Sequence, residues 1–361
     1  MRRALVVGAG VAGASIAREL ARRDHAVTLA EQYVPGTVRS ASGGDTRLSR
    51  AAHGDGEWYT ALARRAREHW LALQDAYGVR IWEPVGVVWL ALREDGFEAR
   101  SRDTLARLDV PHDWLAPEEA TRLYPSLAVD DLAAVLFEPE AGVLHARRAT
   151  QLVVEDGVRR GVELSPAAVR PADEPREDVV VWACGAWLGK LFPEHVELKI
   201  ARRDVFFFGA GAEWSGTPGF CEYDTAFYGH GEIAGLGVKV APDLAGDEVD
   251  PDSLDRLLSP ELAAEARAYA ARRFPALATA PLVGGRVCQY DLTGDTHFVV
   301  ARHPEVESWW LVGGGSGHSF KHGPALAEYV ADCVEGRREP EPFHGLGART
   351  GDAGLRTASV G

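Results

Sequence analysis

The segment Ala4-Leu5-Val6-Val7-Gly8-Ala9-Gly10-Val11-Ala12-Gly13 constrains the fold more than any other part of this chain. A short apolar run enters a GxGxxG turn, and residues 11–23 follow with helical spacing. Residues 26–31 then read as a second buried strand ending in Glu31. Strand, helix and strand in this order make a βαβ unit, which requires a parallel sheet and a right-handed crossover. Gly8 permits the tight turn, Gly10 lets a pyrophosphate approach the backbone, and Gly13 lets helix pack on strand. The amides of Val11 and Ala12 open the helix, where N–H groups favour an anion. Glu31 stands about 20 residues on, where a carboxylate accepts hydrogen bonds from a ribose. The unit implies a bound dinucleotide without choosing between FAD and NAD.

Further along, residues 57–78 read as a long amphipathic helix and residues 85–92 as a strand. A helical, loop-rich region covers 97 to about 135, and residues 150–178 hold little more than one helix and a loop. Residues 178–183 form another buried strand. Between 203 and 240, short aromatic strands such as 205–208 and 225–228 alternate with glycines, which suits an antiparallel sheet. An alanine-rich helix spans 260–272, and a last buried strand, 309–312, enters a glycine-rich turn and a helix over 323–334. No internal repeat is visible. The fold class expected is α/β (α+β), with a Rossmann-type dinucleotide-binding domain and an inserted substrate domain on a mixed, largely antiparallel sheet. The expected division gives 1–80, 140–200 and 275–345 to the dinucleotide domain and 81–139 and 201–274 to the substrate domain. The tail 346–361 is expected to be flexible.

The formal net charge of −14 is diffuse, and no basic stripe points to nucleic acid. No apolar run reaches the length of a membrane span, and the start of the chain does not read as a secretory signal. Cys184, Cys221, Cys288 and Cys333 form no CxxC pair, so no metal site is expected and a reducing, cytoplasmic setting fits.

Three later segments narrow the choice. They are Ser42-Gly43-Gly44-Asp45-Thr46-Arg47-Leu48-Ser49-Arg50, the stretch from Cys288-Gln289-Tyr290 to Thr296-His297-Phe298, and Gly314-Gly315-Ser316-Gly317-His318-Ser319-Phe320-Lys321. With the N-terminal turn, they resemble the monomeric sarcosine oxidase family and its relatives, which include N-methyltryptophan and pipecolate oxidases among the D-amino-acid-oxidase-like flavoproteins. The resemblance runs from residue 4 to about 335 and is faint between 95 and 175.

It implies FAD as cofactor and a small amine or amino acid as substrate. Hydride would pass from the carbon next to nitrogen to flavin N5, the imine would hydrolyse or cyclise, and O2 would reoxidise the flavin with release of H2O2. A monomer is implied, with no nucleic-acid or membrane partner. Cys288 falls where these oxidases attach FAD by a thioether. Arg50 and Lys321 match positions that hold the substrate carboxylate, a task suited to a guanidinium fork. Arg47 matches a cation beside the flavin ring, and Lys239 the lysine that assists O2. Tyr228 and Tyr290 match aromatic residues that bracket the substrate amine, and His318 lies near the pyrimidine end of the flavin. Ser42, Thr46, Gly314, Gly315 and Gly317 complete the implied cofactor contacts, shared with Arg47, His318 and Lys321.

Two departures point away from sarcosine itself. Asp243 stands four residues after Lys239, where sarcosine-type enzymes tend to place a histidine. Ser42-Gly43-Gly44 lacks the paired histidines of close sarcosine oxidases. An acid at 243 alters the pocket's charge and suits a more cationic substrate or a rearranged loop. The competing readings are a dehydrogenase of the same fold with another electron acceptor, a catalytically silent flavin-binding protein, and an NAD-linked dehydrogenase.

Overall fold

The computed structural model describes residues 1–243, 246–351 and 355. Its first sheet grows from the glycine-turn unit. Arg3–Val7 lies at the centre, paired in parallel with Ala26–Ala30 on one side and Val179–Trp182 on the other. Trp309–Gly313 continues the parallel order, and Val299–Arg302 closes that edge antiparallel. Glu163–Ser165 adds a sixth, parallel strand at the other edge. This short strand corrects the expectation that 150–178 holds one helix and a loop. Its sequence, Glu-Leu-Ser, is too short and exposed to carry a strand pattern.

The central strands are buried on both faces because helices cover them. Val11–Arg22 packs between Ala146–Arg159 and Gly323–Val334, and Glu57–Tyr77 lies against the last of these. Ala14, Ile16, Ala17 and Leu20 face Val6, Leu29, Ala149 and Leu326 in one core.

A second sheet has eight strands and is antiparallel except where Gly219–Glu222 runs parallel to Val87–Ala91. Leu282–Leu292 forms its edge beside Lys199–Phe208. The expected boundary at 275 grouped that segment with the dinucleotide part, but its backbone pairs in the second sheet. Thr225 and Ala226, read as strand from sequence, instead form a turn closed by Ala226 N–H to the Tyr223 carbonyl. Ala226 there takes a φ of +57°, and the strand begins at Phe227.

A third, small sheet consists of Thr46–Ser49, Gly142–His145 and Trp82–Glu83, and Leu48 and Ala52 meet Trp89 in a separate apolar cluster. The tail expected from 346 is partly anchored. Arg349 donates to the carbonyls of His297, Phe298 and Phe343, and Leu355 is buried near Gly56. Positions 352–354 and 356–361 of that tail lie outside the described residues. No helix among the described residues is long and apolar enough to cross a membrane.

Candidate active site

The strand ends and glycine turns of the first sheet enclose a cavity of about 430 Å³. Gly8, Gly10, Val11, Ala12, Glu31, Ser42 and Gly315 line it. The turn tolerates no side chains at two of its glycines. A Cβ at Gly8, whose φ is +101°, would stand 2.6 Å from the Ala183 carbonyl oxygen, and one at Gly13 would stand 1.9 Å from the Gly8 oxygen. Glu31 accepts the Ala9 amide at 2.8 Å and the Tyr33 amide at 2.9 Å, which fixes its carboxylate at the end of its strand. Ser42 Oγ accepts the Val11 amide at 2.9 Å, at the start of the helix. A bare glycine cradle, a helix N-terminus and a strand-end acid around one long cavity fit a dinucleotide. The wall at 167–170 and 183–187 also contributes, including Cys184, and sequence reading missed it.

A second cavity, about 200 Å³, adjoins the first through Ser40. Thr46, Arg47, Tyr228, Lys239, Cys288 and Tyr290 line it. Cys288 and Tyr290 are two apart on one strand and so share a face. Arg47 Nη2 lies 3.6 Å from Cys288 Sγ, held by the carbonyls of Ala41 at 2.5 Å and, through Nη1, Thr46 at 2.7 Å. Lys239 Nζ sits 5.1 Å above the Tyr228 ring and donates to the Thr46 carbonyl at 3.3 Å. Burial, reinforced by Arg47, pulls the Lys239 pKa down to about 7. Thr46 Oγ1 meets the buried His230 at 2.8 Å.

The third cavity is smaller, about 70 Å³, and shares Arg47, Tyr228 and Tyr290 with the second. Arg50, Asp243, Gly317, His318 and Lys321 complete its polar rim. The Tyr228 and Tyr290 hydroxyls are 3.4 Å apart. Burial, with Asp243 next in effect, pushes the Tyr228 hydroxyl up to about 12. Lys321 is buried, donates to the His318 carbonyl at 2.7 Å, and is held well below its ordinary pKa by burial and Arg50. His318 Nε2 bonds the Thr296 carbonyl at 2.9 Å, and a Cβ at Gly317 would stand 2.6 Å from the Tyr290 ring. Gly314 lies just behind this turn with a φ of +62°. Asp243 lies 3.5 Å from Arg203 Nε, and Arg203 pairs with Cys288 on the neighbouring strand.

All the residues singled out from sequence except Gly13 and Gly314 line one of three adjoining cavities, although they come from three sheets. Besides the wall of the first cavity, two further residues escaped that reading. Trp89 lies 4.6 Å beneath the Arg50 guanidinium, and buried Glu138 ties the same strands together. Neither sits in a recognisable motif.

A family model described as FAD dependent oxidoreductase (DAO) matches residues 3–333. A monomeric sarcosine oxidase from Bacillus sp. (strain B-0618) is 28% identical over 356 residues, covering 91% of this chain and 91% of its own length. An N-methyl-L-tryptophan oxidase from Yersinia pestis (strain Pestoides F) is 23% identical over 360 residues, covering 93% of this chain and 95% of its own. Among solved structures, the L-proline dehydrogenase from P. horikoshii superposes with a TM-score of 0.82 at 22% identity, covering 94% of this chain and 95% of that one. That likeness shows the shared fold.

Proposed function

The chain belongs to the DAO family of FAD-dependent oxidoreductases, and from that membership we propose that it oxidises a secondary or tertiary amino acid, or a related amine, with O2 as final acceptor. The observation that carries this reading is the convergence of Arg50, Lys321, Tyr228 and Tyr290 on one small cavity beside Cys288 and Lys239. When bound, FAD supplies the hydride acceptor, and its reoxidation by O2 yields H2O2.

The six-stranded sheet and its helices serve the nucleotide in this reading, and the eight-stranded sheet roofs the substrate. Gly8, Gly10, Val11, Ala12, Gly13, Glu31 and Ser42 hold the nucleotide end, and Thr46, Gly314, Gly315 and Gly317 border the ring. Cys288 tethers the flavin by a thioether, with the Arg47 guanidinium 3.6 Å from its sulfur.

Arg50 and Lys321 take the substrate carboxylate. Lys321 is held toward its neutral form, so an arriving carboxylate supplies the counter-charge that draws a proton onto it. Tyr228 and Tyr290 give the amine two aromatic walls, and His318 braces the turn that carries Lys321. Lys239 is the cation that stabilises charge developing on O2. Asp243 adds an acid to the same cavity, which suits a substrate other than sarcosine.

Mixing the purified holoprotein with N-methyl, cyclic and primary amino acids while following peroxide tests this reading. Peroxide formed with at least one of them supports it. Flavin reduction without peroxide would assign the chain to dehydrogenases instead.

A further inference from the structure

We propose that His53, His318 and His322 form a binding site for a late first-row divalent metal ion, with zinc as the ion to test. His53 follows the strand Thr46–Ser49, His318 precedes the short turn Phe320–His322, and His322 ends it. All three are buried, and one ligand nitrogen from each lies within 4.8 Å of the others. Ligand nitrogens on a tetrahedral zinc stand about 3.4 Å apart, so small ring rotations would close the set.

The hydrogen bonds around the rings favour this use. His53 Nδ1 meets the Ala51 carbonyl at 2.8 Å, and His318 Nε2 meets the Thr296 carbonyl at 2.9 Å. A carbonyl only accepts, so these nitrogens carry the hydrogens and the opposite nitrogens present lone pairs. Metal-bound histidines are oriented by such bonds. His53 Nε2 and both nitrogens of His322 have no hydrogen-bond partner among the described residues. An orphaned buried polar atom carries a desolvation penalty that a metal ion would remove.

Arg50 and Lys321 both stand close enough to act electrostatically on His53 and His322. The Arg50 guanidinium opposes any dication, and Lys321 adds to this when it carries a proton. Only an ion with a strong preference for imidazole nitrogen offsets that repulsion, which selects zinc, copper or nickel over magnesium or calcium. Bound there, the ion would staple the loop carrying Arg50 to the turn carrying Lys321. The site does not depend on which amine is oxidised.

The test uses the untagged, full-length holoprotein, stripped with chelator, incubated with zinc and passed through gel filtration. Elemental analysis should find about one zinc per chain, lost in His53→Phe and His322→Phe but kept in His112→Phe. Zinc-edge X-ray absorption on the wild type, which needs no variant, should show nitrogen scatterers at about 2.0–2.1 Å. No zinc above the blank, zinc retained by both cluster variants, or an oxygen-only shell would overturn the proposal.

Discussion

The indole N–H of Trp89 donates to Glu138 at 2.8 Å, so a buried carboxylate fixes the ring on which Arg50 lies. The other oxygen of Glu138 accepts the amides of Ala51 at 2.6 Å and Ala52 at 3.1 Å. One side chain thus holds both the floor beneath Arg50 and the backbone just after it. Glu138→Gln keeps the shape but turns an amide NH2 toward one set of donors. The expected cost is about 1–3 kcal/mol of stability, read as a lower Tm. KM for the amino acid should rise more than kcat falls.

Arg50→Ala removes the guanidinium while leaving Lys321 in place. Loss of a charge-assisted, bidentate contact should raise KM by roughly 10- to 100-fold, equivalent to about 1.4–2.8 kcal/mol. Steady-state kinetics with a carboxylate-bearing substrate checks this. An unchanged KM would remove Arg50 from the carboxylate site.

Lys239 gives the oxidative step a pH dependence. Its pKa is lowered to about 7, so it loses its charge as pH rises through that value. If its cation assists O2, flavin reoxidation should slow from pH 6 to pH 8. Lys239→Met should be slow throughout and flat with pH. The linkage to stability has the opposite sign: an unfolded lysine keeps its proton until about 10.4, so stability rises with pH between about 7 and 10.4. Rapid-mixing reoxidation across pH, in wild type and variant, measures the first effect.

Glu98 is a second pH-sensitive point. It is 1% exposed, and burial raises its carboxyl to about 7. The folded state therefore keeps a proton that the unfolded state releases near 4.3. Its contribution is fully present below about pH 4 and is lost as pH rises through 7, with a span of about 4 kcal/mol. Thermal melts should show wild type losing stability between pH 5 and 8 relative to Glu98→Gln.

Much of the site was legible because its needs are local. Gly8 and Gly13 are required by backbone approach, which a glycine advertises. Cys288 and Tyr290 alternate on one strand, as Arg47 and Ser49 do on another. The unread parts depend on long-range contacts that no spacing encodes. Glu138 meets Trp89 across a strand pair, and His53 meets His322 from the far end of the chain. The strand Glu163–Ser165 exists because Ala26–Ala30 offers it an edge, not because its three residues favour extension.

Cys288→Ser should leave the fold intact and release the flavin. After acid precipitation, yellow colour should stay with the wild-type pellet and pass to the supernatant of the variant. Colour in the wild-type supernatant would refute the thioether.

The most direct test of the central claim compares amino acids with the matching amines that lack the carboxylate. Both are added anaerobically to the holoprotein, and the flavin absorbance near ~450 nm is followed. The expected result is bleaching by at least one N-alkylated or cyclic amino acid and none by its decarboxylated partner at the same concentration. Equal bleaching by the decarboxylated amine would contradict a substrate held through Arg50 and Lys321.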